Sequence, residues 1–380
     1  MMLKADCAHF PGDRPCAYHK REGIKCNACG YYKPVREKIL IIKFDALGDV
    51  LRTTALLPSL KHRYPNARIT WLTKAAAKDL FVNSGFVDEV LVCEDPAINT
   101  RLLVESYDLL IHPDASPASA AYASLAKADI KRGFGLSPLG KVYPFNPEAE
   151  EWFEMGAFDD LKRKNKKTYQ QVIHEIAGVS PSDAEIVVAL TDSEKAAAQA
   201  FAQKHALDRY EFVVGLNTGA GGRWKYKKWT FEGYAALIKE LQRRHRCAVL
   251  LYGGPEEHER NAALVSMFPT VVDTGTDNRL REFFALVGLS DIFVTGDTMA
   301  LHVATALRKQ IVCLFGPTSA HEIEDYGRII KIQPALDCLV CYKMDCDFVP
   351  NCMEEISVDT VVSAVDRQAE AMRTRRRTTA

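Results

Sequence analysis

The sequence lacks features that would place it in several classes of protein. No apolar run approaches the ~18 to 20 residues that a membrane-spanning helix needs, and residues 1–10 lack the apolar core of a signal peptide. Lys plus Arg and Asp plus Glu both number 49, so no net charge favours nucleic acid as a partner. We therefore expect a cytoplasmic protein, with a basic tail at 373–377 that is either a solvated end or a contact to an anionic membrane surface.

Two common nucleotide-binding signatures are also missing. The segment FDALGD, residues 44–49, has one glycine and two acids where a dinucleotide fingerprint has G-x-G-x-x-G, which excludes a nicotinamide site of that type. The glycine loop at 219–222 is not followed by the G-K-[ST] ending of a Walker A loop. Any nucleotide would therefore be bound by a different arrangement.

Short β-branched runs alternate with amphipathic stretches from residue 38 onward, and the scheme repeats in the second half of the 380-residue chain. Apolar strands separated by helices are typical of parallel βαβ units that are buried on both faces. We predict an α/β protein with two doubly wound, Rossmann-like domains that face a cleft. The predicted divisions are a Cys-rich extension at 1–37, an N-terminal domain at 38–183, a C-terminal domain at 184–356, and a helix with the basic tail at 357–380.

Three stretches follow strand ends, where doubly wound sheets bind their ligands. The first is KFDALGDVLRTTALLPSL, residues 43–60. Its Asp49 begins a helix, where a carboxylate either caps the helix or faces the cleft as a general base for a hydroxyl nucleophile. Gly48 and Arg52 belong to the same joint as candidate substrate-binding residues, and Asp45 beside them has either a structural or an acceptor-contacting role.

The second stretch, NTGAGGRWKYKKW at 217–229, has the composition of a phosphate-binding loop. Glycines after a buried strand let backbone N–H groups approach an anion, and the neighbouring cations supply positive charge. The alternative is a flexible loop with exposed lysines. The candidate anion-binding residues are Thr218, Gly219, Gly221, Gly222, Arg223 and Lys227, with Lys225 and Lys228 beside them.

The third stretch is VTGDTMALHVATALRKQIVCLFGPT, residues 294–318. Asp297 and Thr298 fall at the start of a short helix, whose free N–H groups suit a diphosphate, and His302 follows about one turn later. Alternatively, Asp297 only caps the helix and His302 is a core histidine. The next strand-end loop contributes Gly316, Pro317 and Thr318 to the candidate site.

In this order and spacing, the three stretches resemble glycosyltransferase family nine, the bacterial ADP-heptose:lipopolysaccharide heptosyltransferases. The resemblance extends over 38–365, and its most specific segments are 39–73, the KKW triplet at 227–229, and GDTMALHVATAL with LFGPT. It implies the glycosyltransferase-B architecture, with the sugar nucleotide bound mainly by the C-terminal domain and the acceptor by the N-terminal domain. It also implies transfer without a divalent metal, which agrees with the lack of a D-x-D-like pair in the corresponding place.

The resemblance further implies an inverting transfer of heptose from ADP-heptose to a hydroxyl of a lipopolysaccharide-core or related lipid-linked acceptor. Asp49 matches the acid of the family's GD motif, which is assigned there as catalytic base, and Gly48 lets that turn close tightly. Lys227 matches the lysine before the family's K/H-W pair and would stabilise the leaving diphosphate. Because the loop of this chain is richer in glycine and lysine, the choice among Arg223, Lys225 and Lys227 as the diphosphate contact stays open.

Most of the eleven cysteines lie near the two ends of the chain, and each terminal group contains a C-x-x-C. In a reducing cytoplasm this spacing favours thiolate metal ligands over disulfides. Four thiolates suit zinc, iron or an iron–sulfur cluster, and the alternative is unligated surface thiols. We predict structural metal sites, uninvolved in transfer, at Cys7, Cys16, Cys26 and Cys29 and at Cys338, Cys341, Cys346 and Cys352.

Other functions also fit the sequence. A transferase of the same fold would use another nucleotide sugar or a protein acceptor, and a sugar-nucleotide epimerase has a similar two-domain plan. From a different class, the cysteine-rich ends would suit a metal-stabilised interaction protein with an inactive transferase core. Product analysis with the donor alone separates an epimerase from a transferase, and replacement of Asp49 separates an enzyme from an inactive core.

Overall fold

A computed structural model describes residues 2–222 and 224–379, with side chains described as far as 374. Two six-stranded sheets organise this part of the chain. The inner strands of the second sheet are largely apolar runs; all residues of FVVGLN and of CAVLLY are buried, because helices cover both faces of the sheet. The predicted α/β class with two doubly wound sheets is confirmed, and the boundaries of the two predicted domains remain a prediction.

The first sheet is parallel except at one edge. Its strands are β1 (Lys38–Ile42), β2 (Arg68–Thr73), β3 (Glu89–Val92), β4 (Ser106–His112), β5 (Lys127–Leu136) and β6 (Val142–Pro144). They are arranged in the order β3-β2-β1-β4-β5-β6, with β6 antiparallel to β5. The helices up to this point and directly after it are α1 (Ala17–Glu22), α2 (Leu47–Thr53), α3 (Leu56–Arg63), α4 (Ile98–Val104), α5 (Pro117–Leu125), α6 (Glu150–Ala157), α7 (Asp159–Lys164) and α8 (Tyr169–Ala177).

All strand pairs of the second sheet are parallel. Its strands are β7 (Phe212–Asn217), β8 (Cys247–Tyr252), β9 (Val272–Asp273), β10 (Ile292–Gly296), β11 (Gln310–Leu314) and β12 (Ile329–Ile332), in the order β12-β11-β10-β7-β8-β9. The accompanying helices are α9 (Asp192–Lys204), α10 (Phe231–Arg244), α11 (His258–Met267), α12 (Leu280–Val287), α13 (Met299–Ala306) and α14 (Val358–Thr379). Short β6, β12 and α1 were not predicted, because none of them carries a strong periodic pattern.

Helices α2 and α13 join the two halves of the protein. Buried residues of α2, such as Val50, belong to the same apolar cluster as Val303 of α13. A Cβ added to Gly48 would lie 3.0 Å from His302 Cδ2 and 3.4 Å from the Cα of Met299, so a larger residue would require His302 to shift by a few tenths of an ångström. The carboxyl ends of β1 and β10, which precede these helices, are therefore held beside each other.

The extension at 2–37 differs from the rest of the described chain. It consists of α1, a 3₁₀ turn at Cys26–Ala28 and an isolated bridge between Cys7 and Pro34, and none of its residues is buried. An apolar core therefore does not hold this segment together. Nowhere in the described ranges does a helix combine the length and apolarity that crossing a membrane requires.

Candidate active site

A cavity of about 940 Å³ lies where the strand ends of the two sheets meet. The three stretches predicted from the sequence all contribute to its wall, because parallel strands present their carboxyl ends at one edge of a sheet. The predicted site residues that line this cavity are Gly48, Asp49, Arg52, Gly219, Gly221, Lys227, Asp297, Thr298, His302 and Thr318.

Asp49 lies in the first turn of α2, with 37% of its side chain exposed. One carboxylate oxygen lies 2.9 Å from Arg52 Nη2, and the other accepts the backbone N–H of Ala46 at 3.2 Å. Burial acts to raise the pKa of this carboxyl, but Arg52, and after it Lys43 and His302, outweigh burial, so the pKa lies below its ordinary value. Asp49 is therefore an ionised carboxylate at neutral pH, able to accept a proton.

Asp49 also borders a second, smaller pocket of about 250 Å³ on the side of the first sheet. Arg52 separates the two spaces; its guanidinium lies 3.7 Å from the ring centroid of Tyr169, a cation–π contact. Lys43 is 6% exposed in the same pocket and pairs with Asp114 at 3.3 Å. The carboxylate of Asp49 is thus accessible from a large cavity on one side and, on the other, from a pocket in which Lys43 and Arg52 lie beside acidic side chains.

Lys227 and Asp297 form an ion pair on the opposite wall. Lys227 Nζ donates to Asp297 Oδ2 at 2.8 Å, both side chains being 15% exposed, and Thr318 Oγ1 donates to the same oxygen at 2.7 Å. Although burial opposes ionisation, Lys227 and then His302 lower the pKa of Asp297 to about 2. A Cβ on Gly296 would lie 1.9 Å from the Lys227 carbonyl oxygen, so the backbone of Lys227 packs directly on β10.

His302 stands between these two acids in the wall of the cavity. It is buried, and burial together with Arg52 lowers its pKa to about 4, despite the opposing charges of Asp297 and Asp49. The imidazole is therefore neutral at physiological pH and does not add a positive charge to the site.

Several predicted residues lie elsewhere. Thr218 is fully buried and donates to Asn261 Oδ1 at 2.7 Å, so its hydroxyl faces the interior of the domain. Gly222 is exposed beside Glu256, Lys225 is exposed, and Lys228 pairs with Glu257 at 3.4 Å. Arg223 lies outside the described residues. Of the lysines described in this loop, Lys227 is the one that lines the cavity.

Gly316 and Pro317 lie next to the C-terminal cysteine segment. A Cβ on Gly316 would lie 2.3 Å from Cys352 Sγ, and the carbonyl oxygen of Pro317 accepts the N–H of Tyr342 at 2.9 Å. Tyr342 itself lines the large cavity and donates to Glu322 Oε1 at 2.6 Å. These two loop residues thus position neighbours of the cavity.

Sequence reasoning did not select several residues that border the cavities, and four of them contact the predicted site residues or lie beside them. Lys43 and Tyr169 lie on the side of the first sheet, and Glu322 and Tyr342 on that of the second. Lys43 carried a signal, because a lysine at the end of an apolar strand is unusual in a buried position. Glu322 ends the strand-end loop FGPTSAHE, of which only Gly316, Pro317 and Thr318 were selected, and Tyr169 and Tyr342 lie in segments without a strand-end motif.

The cysteine groups occupy two different places. Cys7, Cys16, Cys26 and Cys29 border one cavity of about 610 Å³ in the extension. In the C-terminal group, burial raises the pKa of Cys352 to about 11, and the charges of Cys346, Cys341 and Cys338 add to the effect. Within the described part of the chain, no three His, Cys, Asp or Glu side chains are gathered in a way that could hold a metal ion. The metal sites therefore stay predictions.

Known proteins resemble this chain over most of its length. Residues 97–350 match glycosyltransferase family 9 (heptosyltransferase). Lipooligosaccharide heptosyltransferase 2 of Haemophilus influenzae is 26% identical in an alignment 325 residues long, which covers 77% of this chain and 88% of that protein.

Two solved structures share the fold. The family 9 glycosyltransferase of Veillonella parvula has a TM-score of 0.68 at 17% identity, covering 87% of this chain and 97% of its own. The Escherichia coli heptosyltransferase WaaC with ADP-2-deoxy-2-fluoro heptose has a TM-score of 0.58 at 19% identity, covering 87% and 99%.

Two doubly wound sheets border one shared cavity, and solved glycosyltransferases have the same fold. With the family match, these observations define a glycosyltransferase with the GT-B architecture. The match over 97–350 makes the assignment more specific. This chain belongs to glycosyltransferase family 9, the heptosyltransferase family, as the sequence motifs predicted.

Proposed function

We propose that this protein is an inverting heptosyltransferase that moves heptose from ADP-heptose to a hydroxyl of a lipopolysaccharide-core acceptor. The observation that carries the proposal is the position of Asp49, which borders both the large cavity and the smaller pocket. In this reaction the acceptor hydroxyl must lie within reach of the base and of the donor's anomeric carbon at the same time, so the base stands beside both ligands. Asp49 stands where two such ligands would meet.

The donor belongs in the larger cavity. Gly219 and Gly221 line this cavity, and they have no side chains that would keep a ligand away from their backbone. Helix α13 begins at the same wall, and the backbone N–H groups of a first helical turn suit a diphosphate. Lys227 supplies the positive charge. A family described as heptosyltransferases, and a structural relative bound to an analogue of ADP-heptose, support ADP-heptose as the donor.

The acceptor belongs in the smaller pocket, beside Lys43, Trp152 and Tyr169. An aromatic wall with a few charged groups, such as the Lys43–Asp114 pair, suits a sugar ring and hydrogen bonds to its hydroxyl groups. We propose a lipid-linked core oligosaccharide as the acceptor, reached at the inner face of the cytoplasmic membrane. The proposed domains, 38–183 for the acceptor and 184–356 for the nucleotide sugar, follow this division.

The reaction is one displacement. The carboxylate of Asp49 takes the proton of the acceptor hydroxyl while that oxygen bonds to the anomeric carbon, and the bond from this carbon to the diphosphate oxygen breaks. ADP leaves with the bonding electron pair on the face opposite the incoming oxygen, which inverts the configuration. This proton transfer contributes typically ~10²- to 10⁴-fold to the rate.

Lys227 stabilises the negative charge that grows on the departing ADP. Asp297 and Thr318 fix its surroundings through the shared oxygen Oδ2, and close packing on Gly296 fixes its backbone. A cation that is already held in place does not have to move during the reaction. Such preorganised charge is usually the largest single contribution to catalysis.

A thermal-shift panel of ADP, UDP, GDP and their sugar derivatives tests the donor. A ligand that binds only the folded protein at 100 times its Kd stabilises it by about 2.7 kcal/mol. We expect ADP and ADP-heptose to stabilise the protein more than the others at equal concentration. Preference for UDP or GDP would point to a transferase with a different donor.

Product analysis tests the reaction. With ADP-heptose and a core acceptor, ADP and a heptosylated acceptor should form in equal amounts, and with ADP-heptose alone the donor should stay unchanged. Conversion of the donor to a stereoisomer without an acceptor would indicate an epimerase. Failure to turn over with core acceptors, combined with turnover on a peptide, would move the proposal to a protein acceptor.

A further inference from the structure

The smaller pocket beside Asp49 is lined by more acids than bases. Three carboxylates and two cations border its volume of about 250 Å³, namely Asp45, Asp49, Asp114, Lys43 and Arg52. Two charges just outside the pocket offset each other, because Lys74 pairs with Asp45 at 2.6 Å and Glu322 lies 4.0 Å from Arg52. The pocket therefore holds one negative charge in excess.

Both cations of the pocket already have acidic partners. Lys43 Nζ lies 3.3 Å from Asp114 Oδ2 and donates to the carbonyl oxygen of Asp45 at 2.6 Å. Arg52 pairs with Asp49 at 2.9 Å, and both cationic side chains are nearly buried. A carboxylate on a bound sugar would have to displace one of these protein carboxylates and leave it unpaired, which is costly in a partly buried place.

Two further titratable groups beside the pocket add no charge. His112 ends β4 two residues before Asp114, and its Nδ1 lies 2.6 Å from the carbonyl oxygen of Phe134. Burial lowers the pKa of His112 to about 4, so the imidazole is neutral. Burial also raises the pKa of Tyr169, so this phenol stays protonated; its oxygen lies 2.7 Å from Thr53 Oγ1.

The uncharged part of the pocket wall is aromatic. The rings of Trp152 and Tyr169 meet edge-on with their centroids 5.8 Å apart, and Trp152 is half-buried, so part of its ring is left for a ligand. Aromatic rings with a few polar groups are typical of small-molecule sites. Carboxylates accept hydrogen bonds from hydroxyl groups and donate none. This combination suits a ring that carries many hydroxyl groups and no charge.

We propose that the acceptor presents a neutral sugar to this pocket and that Asp114 is the residue that rejects an acidic one. The inference rests on the proposed function, because it takes the pocket as the acceptor site. Asp49 is the proposed base, and Asp45 is 62% exposed and pairs with Lys74. Asp114, which is 17% exposed, is the carboxylate left to accept a sugar hydroxyl and to repel a sugar carboxylate at the same place.

Three matched probes test this preference. They are an octyl heptoside, the corresponding acid in which the exocyclic end of the sugar is oxidised to a carboxylate, and the methyl ester of that acid. Calorimetry measures the Kd of each probe for the full chain, with and without ADP. We expect the acid to bind on the order of 10- to 100-fold more weakly than the ester and the heptoside, the effect of a like charge several ångströms away near a protein surface.

Two variants should change the ratio of the Kd of the acid to that of the ester in opposite directions. Asp114→Asn removes the excess charge and releases Lys43, so the ratio should fall about tenfold, whereas Lys43→Met adds to the excess charge and should raise it. A general disturbance of folding would weaken all three probes and could not produce opposite shifts. Asp129→Asn, an exposed position on β5, should keep the wild-type ratio.

The outcomes separate this inference from the proposed function. Equal or tighter binding of the acid, an unchanged ratio in Asp114→Asn, or no binding of any of the three probes would overturn the inference. Transfer is measured separately, as release of ADP from ADP-heptose with the heptoside. Preference for the neutral probes without release of ADP would refute heptosyl transfer and leave the specificity of the pocket standing, and release of ADP without the preference would refute the inference alone.

Discussion

Replacement of Asp49 by Asn tests the proposed reaction most directly. The amide has the size of the carboxylate and can still accept a hydrogen bond from Ala46 or Arg52, but it cannot take a proton from an acceptor hydroxyl. Loss of a general base lowers the rate by typically ~10²- to 10⁴-fold. At 1.36 kcal/mol for each tenfold change, this is about 2.7–5.4 kcal/mol of transition-state stabilisation.

Folding and donor binding should change much less. The Asp49 carboxylate is 37% exposed, and Arg52, which is 12% exposed, keeps Glu322 as a second acidic partner at 4.0 Å, so loss of the ion pair should lower the free energy of unfolding by about 1–3 kcal/mol and leave the protein folded. The groups proposed to bind the diphosphate, Lys227 and the glycine loop, lie on the other wall of the cavity. Stabilisation by ADP in a thermal-shift assay should therefore be retained while ADP release with acceptor is lost.

Asp45 offers a matched control. It borders the same two spaces, but its side chain is 62% exposed and pairs with Lys74 at 2.6 Å on the solvent side. Asp45→Asn should keep kcat within a few-fold of wild type. The reasoning would be refuted if Asp49→Asn kept more than a tenth of the wild-type kcat, or if both variants lost activity equally.

Three further predictions concern the cation, the contact between the two halves, and pH. Lys227→Met should lower kcat by about 10²- to 10³-fold in steady-state assays, whereas exposed Lys225→Met should have little effect; equal losses would contradict the assigned role. Gly48→Ala, whose Cβ would lie 3.0 Å from His302 Cδ2, should destabilise the fold by about 1–3 kcal/mol in urea titrations, unlike Gly30→Ala, which has open space around it. Because the pKa of Asp49 lies below its ordinary value, the active carboxylate is present at higher pH and is lost only as pH falls through that pKa; kcat/KM should be level from roughly pH 5 to 8, and an acidic limb near pH 6.5 would point to a histidine instead.

The sequence was sufficient to predict that the three strand-end segments lie together at one cavity. Strands β1, β7 and β10 are apolar runs that are each followed within a few residues by glycine and polar positions, and their carboxyl ends share the edge where ligands bind. Asp49, Gly219 and Asp297, predicted from that rule alone to be close to a cleft, line one cavity. This rule depends only on the direction of each strand, so it applies wherever the strand can be identified from the sequence.

The direction of individual side chains was harder to predict. Asn217 and Thr218 are adjacent at the end of β7, yet Asn217 lines the cavity and Thr218 donates to the buried Asn261. Successive side chains of an extended segment point to opposite sides, so a shift of one residue reverses the assignment. The letters of a sequence motif do not show which of its residues face the cavity and which face the interior. The contributions of Glu322 and Tyr342 depend on loops whose course follows from tertiary packing.

The arrangement of charges explains why the site is ready for an anionic donor. Arg52 is held between Asp49, at 2.9 Å, and Glu322, at 4.0 Å, and Glu322 in turn accepts the hydroxyl of Tyr342. On the other wall, Asp297 holds Lys227. Each cation therefore has an acidic partner that fixes its position before any ligand binds. Since the base and the cation are both fixed in the folded protein, binding energy from the sugar nucleotide is not spent on assembling them, and it remains available for the transition state.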